Sequence, residues 1–255
     1  MVKPIIAANW KMHKTISEAV AFAKQLKEGF PEPCQTDIVI APPFTALRPV
    51  MDVLKDTHIH LSAQNMHWEE QGAFTGEISS SMIVDAGCTF VIIGHSERRT
   101  LFGETGAMVN RKISAALKSG ITPIFCLGES LQERESGTTF KVIQKQLKEG
   151  LNNIVSDDIR GIVFAYEPVW AIGTGKTATP LQAQEVHRFI RERIATDCEH
   201  VYAPETVIMY GGSVNPDNTR SLMNQPDING ALIGGASLDY SSFAEIIRLA
   251  EKEGE

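Results

Sequence analysis

The sequence predicts an α/β protein, a (β/α)₈ barrel in which residues 1–255 form a single domain. Eight short apolar runs recur along the chain, segments with helical periodicity lie between most of them, and 255 residues suits eight such units. Strands that alternate with helices are typical of parallel βαβ units. A doubly wound sheet is the alternative. It would more often carry a GxGxxG turn after its first strand, and this sequence has none there.

The eight apolar runs are the predicted strands. Each run is continuous rather than alternating, as expected for a parallel strand that is covered on both faces. The runs occupy residues 5–10, 37–42, 59–65, 90–95, 122–127, 161–167, 206–210 and 231–233. Strands of this kind would form the wall of the barrel, with the helices packed outside it.

Helical periodicity follows most of these runs. It predicts helices over residues 17–28, 106–118, 139–152, 180–195 and 243–250, and weaker ones after the second and third runs. In the first helix, Val20, Ala23, Leu26 and Lys27 mark one face, and Gly29 is expected to stop the helix. No linker or domain boundary interrupts this alternation.

The composition is that of an ordinary globular protein, with 43% apolar and 22% charged residues. A formal net charge of −7 and the lack of any Lys/Arg cluster argue against a nucleic-acid partner. The four scattered cysteines form no CxxC pair, so we expect a reduced, cytoplasmic chain without a zinc site or disulfide framework. No signal peptide, membrane span or membrane partner is predicted. Segment 131–158, rich in Lys, Gln and Glu, is interpreted as a solvated helix face.

The stretch after the sixth run is the most informative part of the sequence. Glu167 ends a buried run, and a loop that begins with Pro and contains several Gly follows at once. An isolated Glu at a strand end is usually only solvated, but plain surface loops rarely carry an aromatic and apolar tip. We interpret Glu167 as an acid–base group and the loop as a lid. The predicted lid consists of Pro168, Val169, Trp170, Ala171, Ile172, Gly173, Thr174, Gly175, Lys176, Thr177 and Ala178.

Chemically useful residues also stand at the ends of other runs. They are Asn9 and Lys11 at the end of the first run, His95 and Glu97 at the end of the fourth, Gly211, Gly212 and Ser213 at the end of the seventh, and Gly234 and Gly235 at the end of the eighth. Singly, such a His is more often structural, such a Lys is solvated, and such a Gly pair makes a turn. In a closed barrel all these ends share one face, so their coincidence favours a functional site.

The two glycine pairs predict a phosphate site. They lack the Cβ atoms that would block a ligand, and their N–H groups can point at an anion, helped by a short helix starting after Gly235. Barrels frequently bind phosphate with the loops after strands seven and eight.

Glu167, His95 and Lys11 supply a base, an uncharged donor and a fixed positive charge. That set suits proton abstraction next to a carbonyl, with the donors stabilising an enediolate. Apolar cover by Ile172 and Leu232 is expected to raise the basicity of Glu167, and a neutral His95 is expected to donate. No metal site and no cofactor are predicted, because the His residues lack ligand spacing and no acidic cluster completes a site.

Seven motifs spread over the chain resemble those of the triosephosphate isomerase family. They are residues 9–12 (NWKM), 72–77 (GAFTGE), 94–99 (GHSERR), 126–129 (CLGE), 165–177 (AYEPVWAIGTGKT), 210–213 (YGGS) and 234–237 (GGAS). The resemblance covers essentially the whole length. It implies a TIM barrel and a small phosphorylated triose substrate, with dihydroxyacetone phosphate and D-glyceraldehyde 3-phosphate interconverted through an enediolate.

The resemblance also implies roles for single residues. Glu167 would shuttle the proton, His95 would act on the carbonyl, Lys11 would hold the substrate's charge, and Glu97 would support both from behind. Substrate would be bound by Asn9, Lys11, Gly173, Ser213, Leu232, Gly234 and Gly235. The family forms homodimers in which loop 72–77, with Phe74 and Thr75, inserts beside the partner's active site, and Thr75 lies near the partner's Asn9. One departure from the family pattern, at His13 and Lys14 after Met12, lies toward this contact.

Two other classes of function compete with this reading. A phosphate-binding barrel of another activity, such as a carbon–carbon lyase, would need a Schiff-base Lys inside the barrel or a second acid, and we find neither. A non-catalytic binding or scaffold protein is disfavoured by the intact Glu167, His95 and Lys11. A coupled isomerase assay distinguishes all three.

Overall fold

A computed structural model describes residues 2–172, 177–197 and 203–251. Within them, eight parallel strands form a closed barrel in sequence order. The strands are β1 (Ile5–Asn9), β2 (Asp37–Ala41), β3 (His60–Ala63), β4 (Phe90–Ile93), β5 (Thr122–Leu127), β6 (Val163–Tyr166), β7 (Ile208–Tyr210) and β8 (Gly230–Ile233). β1 pairs with both β2 and β8, which closes the barrel. The predicted fold class is confirmed.

Eleven α-helices surround the barrel in the part of the chain that the structure describes. They are α1 (Ile16–Gly29), α2 (Leu47–Leu54), α3 (Ser80–Asp85), α4 (Ser96–Leu101), α5 (Gly106–Lys118), α6 (Leu131–Glu135), α7 (Thr139–Gly150), α8 (Ser156–Ile159), α9 (Pro180–Asp197), α10 (Pro216–Met223) and α11 (Tyr240–Ala250). The five main predicted helices and the two weaker ones are confirmed. The sequence did not predict α4, α6, α8 and α10, which have eight residues or fewer and leave little room for a periodic pattern.

The buried face of α1 differs from the predicted one. The helix buries Ala19, Phe22, Ala23 and Leu26, whereas Val20 is partly exposed. The prediction gave too little weight to Phe22, whose ring packs edge-on against Trp10 with centroids 5.0 Å apart. Gly29 is the last helical residue rather than the residue beyond the helix.

The core has two layers, as expected for strands covered on both faces. A smaller cluster, with members on β1, β2, β4, β5, β6, β7 and β8, includes Ala7, Val39, Ile124 and Met209 and fills the barrel. A larger cluster lies between the barrel and the surrounding helices. This packing fixes the strands on both sides, so the carboxyl ends of the strands form a rigid platform. None of the described helices is long and apolar enough to cross a membrane.

Candidate active site

A cavity of about 310 Å³ opens at the carboxyl ends of the strands. Predicted site residues from five segments of the chain line it: Asn9, Lys11, His95, Glu167, Ile172, Ser213, Leu232, Gly234 and Gly235. The structure therefore brings these residues together, as expected for strand ends on one face of a barrel. Glu97 does not line the cavity but contacts Lys11. Predicted residues Gly173, Thr174, Gly175 and Lys176 lie outside the described residues.

Lys11 is held in an unusual backbone conformation at the end of β1. Its φ angle is +50°, in the left-handed region that residues other than Gly rarely adopt. Its N–H donates to Asn9 Oδ1 at 3.1 Å, and its carbonyl oxygen accepts from Gln64 Nε2 at 2.9 Å. Its ammonium lies 2.5 Å from Glu97 Oε1. These contacts aim a positive charge into the cavity and fix the base of its side chain.

His95 is the N-cap of α4. Its Nδ1 accepts a hydrogen bond from the backbone N–H of Glu97 at 3.2 Å, while its Nε2 lies 3.0 Å from Glu167 Oε1. A neutral ring with its proton on Nε2 satisfies both contacts. Burial lowers the pKa of His95, but the charge and hydrogen bond of Glu167 outweigh burial, and the net shift is upward. The contact at Nδ1 thus favours the neutral form of His95 that the sequence predicts. The Glu167 carboxylate favours the charged form.

Glu167 follows β6, and its side chain is almost fully buried at 2% exposure. Its Oε2 accepts from the backbone N–H of Ser96 at 2.9 Å, and its Oε1 faces His95. Burial raises the pKa of the carboxyl, yet His95 and the Ser96 N–H outweigh burial, so the pKa lies below its ordinary value. The expectation of raised basicity is therefore wrong for this arrangement, because two donors stabilise the charged form.

The two glycine pairs differ in what surrounds them. A methyl group on Gly211 would come within 2.8 Å of Glu167 Cγ, and one on Gly212 within 2.2 Å of the Tyr210 hydroxyl. Gly211 is needed for close packing beside Glu167, and Gly212 for close packing beside Tyr210. A methyl group on Gly234 would lie 3.5 Å from Lys11 Cε, and one on Gly235 would meet nothing within 4 Å. The second pair therefore fits the predicted role as an open cradle better than the first pair. The short helix predicted after Gly235 is a single 3₁₀ turn, Gly235–Ser237.

The first part of the predicted lid is tied to the connection after β5. Val169, Trp170 and Ala171 form a 3₁₀ turn. The buried carboxylate of Glu129 accepts hydrogen bonds from Trp170 Nε1 at 3.0 Å and from the Tyr166 hydroxyl at 3.1 Å. Burial raises the pKa of Glu129, and these donors offset part of that shift. At the other end of the lid, Ala178 is buried, and its backbone interacts with the hydroxyl of Tyr210, whose pKa burial raises to about 12.

Sequence reasoning missed three residues of this site. Gln64 follows β3, Ser96 supplies a backbone N–H to Glu167, and Glu129 follows β5. Gln64 and Glu129 are polar residues just beyond the ends of strands, the same signal that identifies Lys11 and Glu167. For Ser96 no side-chain signal exists, since its backbone makes the contact. Over the described ranges, no group of three or more His, Cys, Asp or Glu side chains is arranged to hold a metal ion.

A closed (β/α)₈ barrel with a buried carboxylate, an imidazole and an ammonium around one cavity defines an acid–base enzyme with an anionic ligand. A family model described as triosephosphate isomerase matches residues 4–250. The chain belongs to the triosephosphate isomerase family, which confirms the resemblance and the predicted isomerase class.

Individual relatives agree over their full length, and each is named triosephosphate isomerase. The protein of Geotalea uraniireducens is 53% identical over 251 residues, covering 98% of this chain and all of that protein. The protein of Pelobacter propionicus is 55% identical over 247 residues, covering 97% of this chain and 98% of that protein. That of Geobacter metallireducens is 55% identical over 248 residues, with the same coverage.

Proposed function

We propose that this protein interconverts dihydroxyacetone phosphate and D-glyceraldehyde 3-phosphate by proton transfer through an enediolate. The observation that carries the proposal is the pairing of the Glu167 carboxylate with His95 Nε2, at 3.0 Å, in the cavity that Lys11 also lines. A carboxylate can remove a carbon-bound proton, and an imidazole N–H beside it can donate a hydrogen bond to the neighbouring carbonyl oxygen.

In the proposed reaction, Glu167 removes the proton from C1 of the ketose phosphate and returns it to C2. His95 donates its Nε2 proton to the oxygen on C2 and receives the proton of the hydroxyl on C1. Atoms and charges balance within the substrate, so no oxidant or reductant is needed. Because Glu167 starts hydrogen bonded to Ser96, it must exchange that contact for the substrate carbon before it can act.

Lys11 and the glycine-rich ends of β7 and β8 would bind the anionic part of the substrate. The stem of Lys11 passes beside Gly234, so the ammonium and the second glycine pair share one corner of the cavity. Ser213 and Gly235 line the same cavity. Backbone N–H groups next to a fixed positive charge favour phosphate, and Leu232 and Ile172 supply apolar surface beside it.

We also infer a homodimer. Apolar side chains are exposed in the connections after β1, β3 and β4: Met12 is 94% exposed, Phe102 66% and Phe74 43%. Exposed apolar groups clustered near a site are typical of an interface, and those connections also carry Lys11 and His95. Loop 72–77, including Thr75, supplies the protruding part of this surface. Three free cysteines among the described residues support a cytoplasmic location.

A coupled assay in both directions tests the proposed reaction. Purified protein should convert each triose phosphate into the other, and the activity should be unchanged by EDTA. Inactivity toward both would refute the proposal, and loss of activity in EDTA would point to a metal-dependent mechanism instead. A carbon–carbon lyase would release a smaller carbonyl product, which the same assay mixture reveals by chromatography.

A further inference from the structure

Gln146, on the outer helix α7, makes two hydrogen bonds to the short connection between β5 and α6. Its Oε1 accepts from the backbone N–H of Gly128 at 2.8 Å, and its Nε2 donates to the carbonyl oxygen of the same residue at 2.9 Å. The side-chain amide thus satisfies both backbone groups of Gly128. The side chain is half-buried and stands in a helix whose other polar groups largely face solvent.

Gly128 lies directly against the backbone of Glu167. A methyl group added to Gly128 would come within 1.7 Å of the Glu167 carbonyl oxygen, so the two backbones touch with no side chain between them. The N–H of Glu167 in turn donates to the carbonyl of Leu127 at 2.8 Å. Any displacement of Gly128 is therefore passed to the peptide that carries the carboxylate, since packed atoms cannot yield without moving their neighbours.

The next residue of the connection holds the base of the lid. The carbonyl of Glu129 accepts from the N–H of Val169 at 3.0 Å, and its carboxylate accepts from Trp170 and Tyr166. Residues 128–130 consequently support both Glu167 and the start of the lid.

We propose that Gln146 is a positioning residue for the isomerase reaction: by clamping Gly128, it holds residues 128–130 against Glu167 and the base of the lid. It touches neither substrate nor reacting atoms and acts through backbone placement. The proposal rests on the proposed function for its kinetic consequence, while its structural content is independent of that function. Misplacing a catalytic base by about 1 Å can cost on the order of a hundredfold in rate.

Two variants at this position test the clamp. Gln146→Met keeps the length of the side chain but removes both hydrogen bonds, and we expect kcat to fall by about tenfold to a hundredfold. Inhibition by inorganic phosphate should stay within about twofold of the unmodified enzyme, because Lys11 and the glycine cradle are untouched. Gln144→Met is the matched control, since Gln144 lies on the same helix and bonds only to Asp197 among the contacts described. It should leave kcat unchanged.

Gln146→Glu provides a readout that a merely structural role would not move. An ionised carboxylate accepts from the Gly128 N–H but repels its carbonyl oxygen, whereas a protonated one restores both bonds. The ratio of its kcat to that of the unmodified enzyme should rise as pH falls from about 8 to about 5.5, toward the pKa of a carboxyl facing an acceptor. If Gln146→Met does not fold, this pH-dependent ratio decides the question alone. If the ratio of the two kcat values does not change with pH, the proposal is overturned. An unchanged kcat in a folded Gln146→Met also overturns it.

Amide hydrogen exchange separates this proposal from the proposed function. In the folded Met variant, or in Gln146→Glu at neutral pH, exchange of the amides in 128–130 and 167–169 should accelerate; in Gln144→Met it should not. If exchange is unchanged, the clamp is absent whatever the enzyme does to triose phosphates. If the unmodified protein fails to isomerise triose phosphates, the proposed function falls, and the exchange experiment still decides the role of Gln146.

Discussion

The Nε2 atom of His95 lies 3.0 Å from Oε1 of Glu167, although the two residues are 72 positions apart in the sequence. One residue caps α4 and the other follows β6, so the contact depends on the closed barrel rather than on either element alone. The same carboxylate is held on its other oxygen by the N–H of Ser96. In this arrangement Glu167 is a stabilised anion, and catalysis requires it to leave at least one donor.

Replacing the carboxylate of Glu167 tests its role as the base. Glu167→Gln keeps the shape of the side chain but cannot accept a carbon-bound proton, so kcat should fall by roughly 10²–10⁴-fold, the usual contribution of a general base. Binding of inorganic phosphate should remain nearly intact. Glu167→Asp should also be slow, because it withdraws the carboxylate by about one bond length. Near-normal turnover by Glu167→Gln would show that another group takes the proton.

The lowered pKa of Glu167 makes a prediction for the acid side of the pH profile. The base works only when ionised, and its pKa in the free protein lies below its ordinary value. The carboxyl should therefore stay ionised on acidification to below about pH 4.3, the ordinary value for Glu, whereas kcat/KM should fall at higher pH because His95, whose pKa is raised, gains charge first. Circular dichroism at each pH establishes that the protein is still folded. A Glu167 carboxyl that gains its proton well above that value in folded protein, observed by carbon-13 NMR of the labelled side chain, would contradict the prediction.

The N–H of Ser96 is one cause of that low pKa, and proline removes it, while the ring carbon that takes the place of the hydrogen also displaces the carboxylate. Ser96 is the first residue of α4, a position that accepts Pro, and Ser96→Pro deletes the donor to Glu167. The pKa of the Glu167 carboxyl, followed by carbon-13 NMR, should shift upward, because the charged form loses a hydrogen bond. Ser96→Ala retains the N–H and serves as the control. Equal pKa values of the Glu167 carboxyl in the two variants would mean that this contact contributes nothing to that pKa.

Sequence patterns predicted the barrel and most of the site because both depend on features repeated along the chain. Continuous apolar runs indicate strands buried on both faces, and strand ends in a barrel converge on one face, which brought Lys11, His95 and Glu167 together. The direction of the Glu167 pKa could not be predicted, because it depends on the hydrogen-bond donors that the fold places beside the carboxylate. Gln146 was hidden for a similar reason. It stands among many polar residues in a segment interpreted as a solvated helix face, and only its distance from Gly128 distinguishes it.

The proposed dimer predicts that one exposed aromatic residue is important for assembly. Phe74 protrudes from loop 72–77 and stacks only on one side, against His67 at 4.5 Å among the ring contacts described. Phe74→Asp would place a charge in the interface and should shift sedimentation from dimer toward monomer, with a loss of activity. Val155→Asp, at an exposed position before α8, is the control and should remain dimeric. A fully active monomer of the unmodified protein would refute the dimer itself.

The lid is expected to protect the intermediate as well as to speed the reaction. Its first residues are hydrogen bonded to Glu129, and its far end, Ala178, is buried near Tyr210, so motion should concentrate between these two ends. An enediolate that bears a phosphate can expel it, and a closed lid would hold the phosphate where expulsion is disfavoured while Ile172 shields Glu167 from water.

Removing residues 172–175 with a shortened connection should therefore slow isomerisation by orders of magnitude and release methylglyoxal, measured by trapping the dicarbonyl. Tyr210→Phe, which loses only the hydroxyl beside Ala178, should produce a smaller effect of the same kind. The loss of isomerisation rate and the release of methylglyoxal should increase together across the variants, because both follow from a shorter time in the closed state. Normal isomerisation without methylglyoxal in the shortened variant would show that closure has no part in the mechanism.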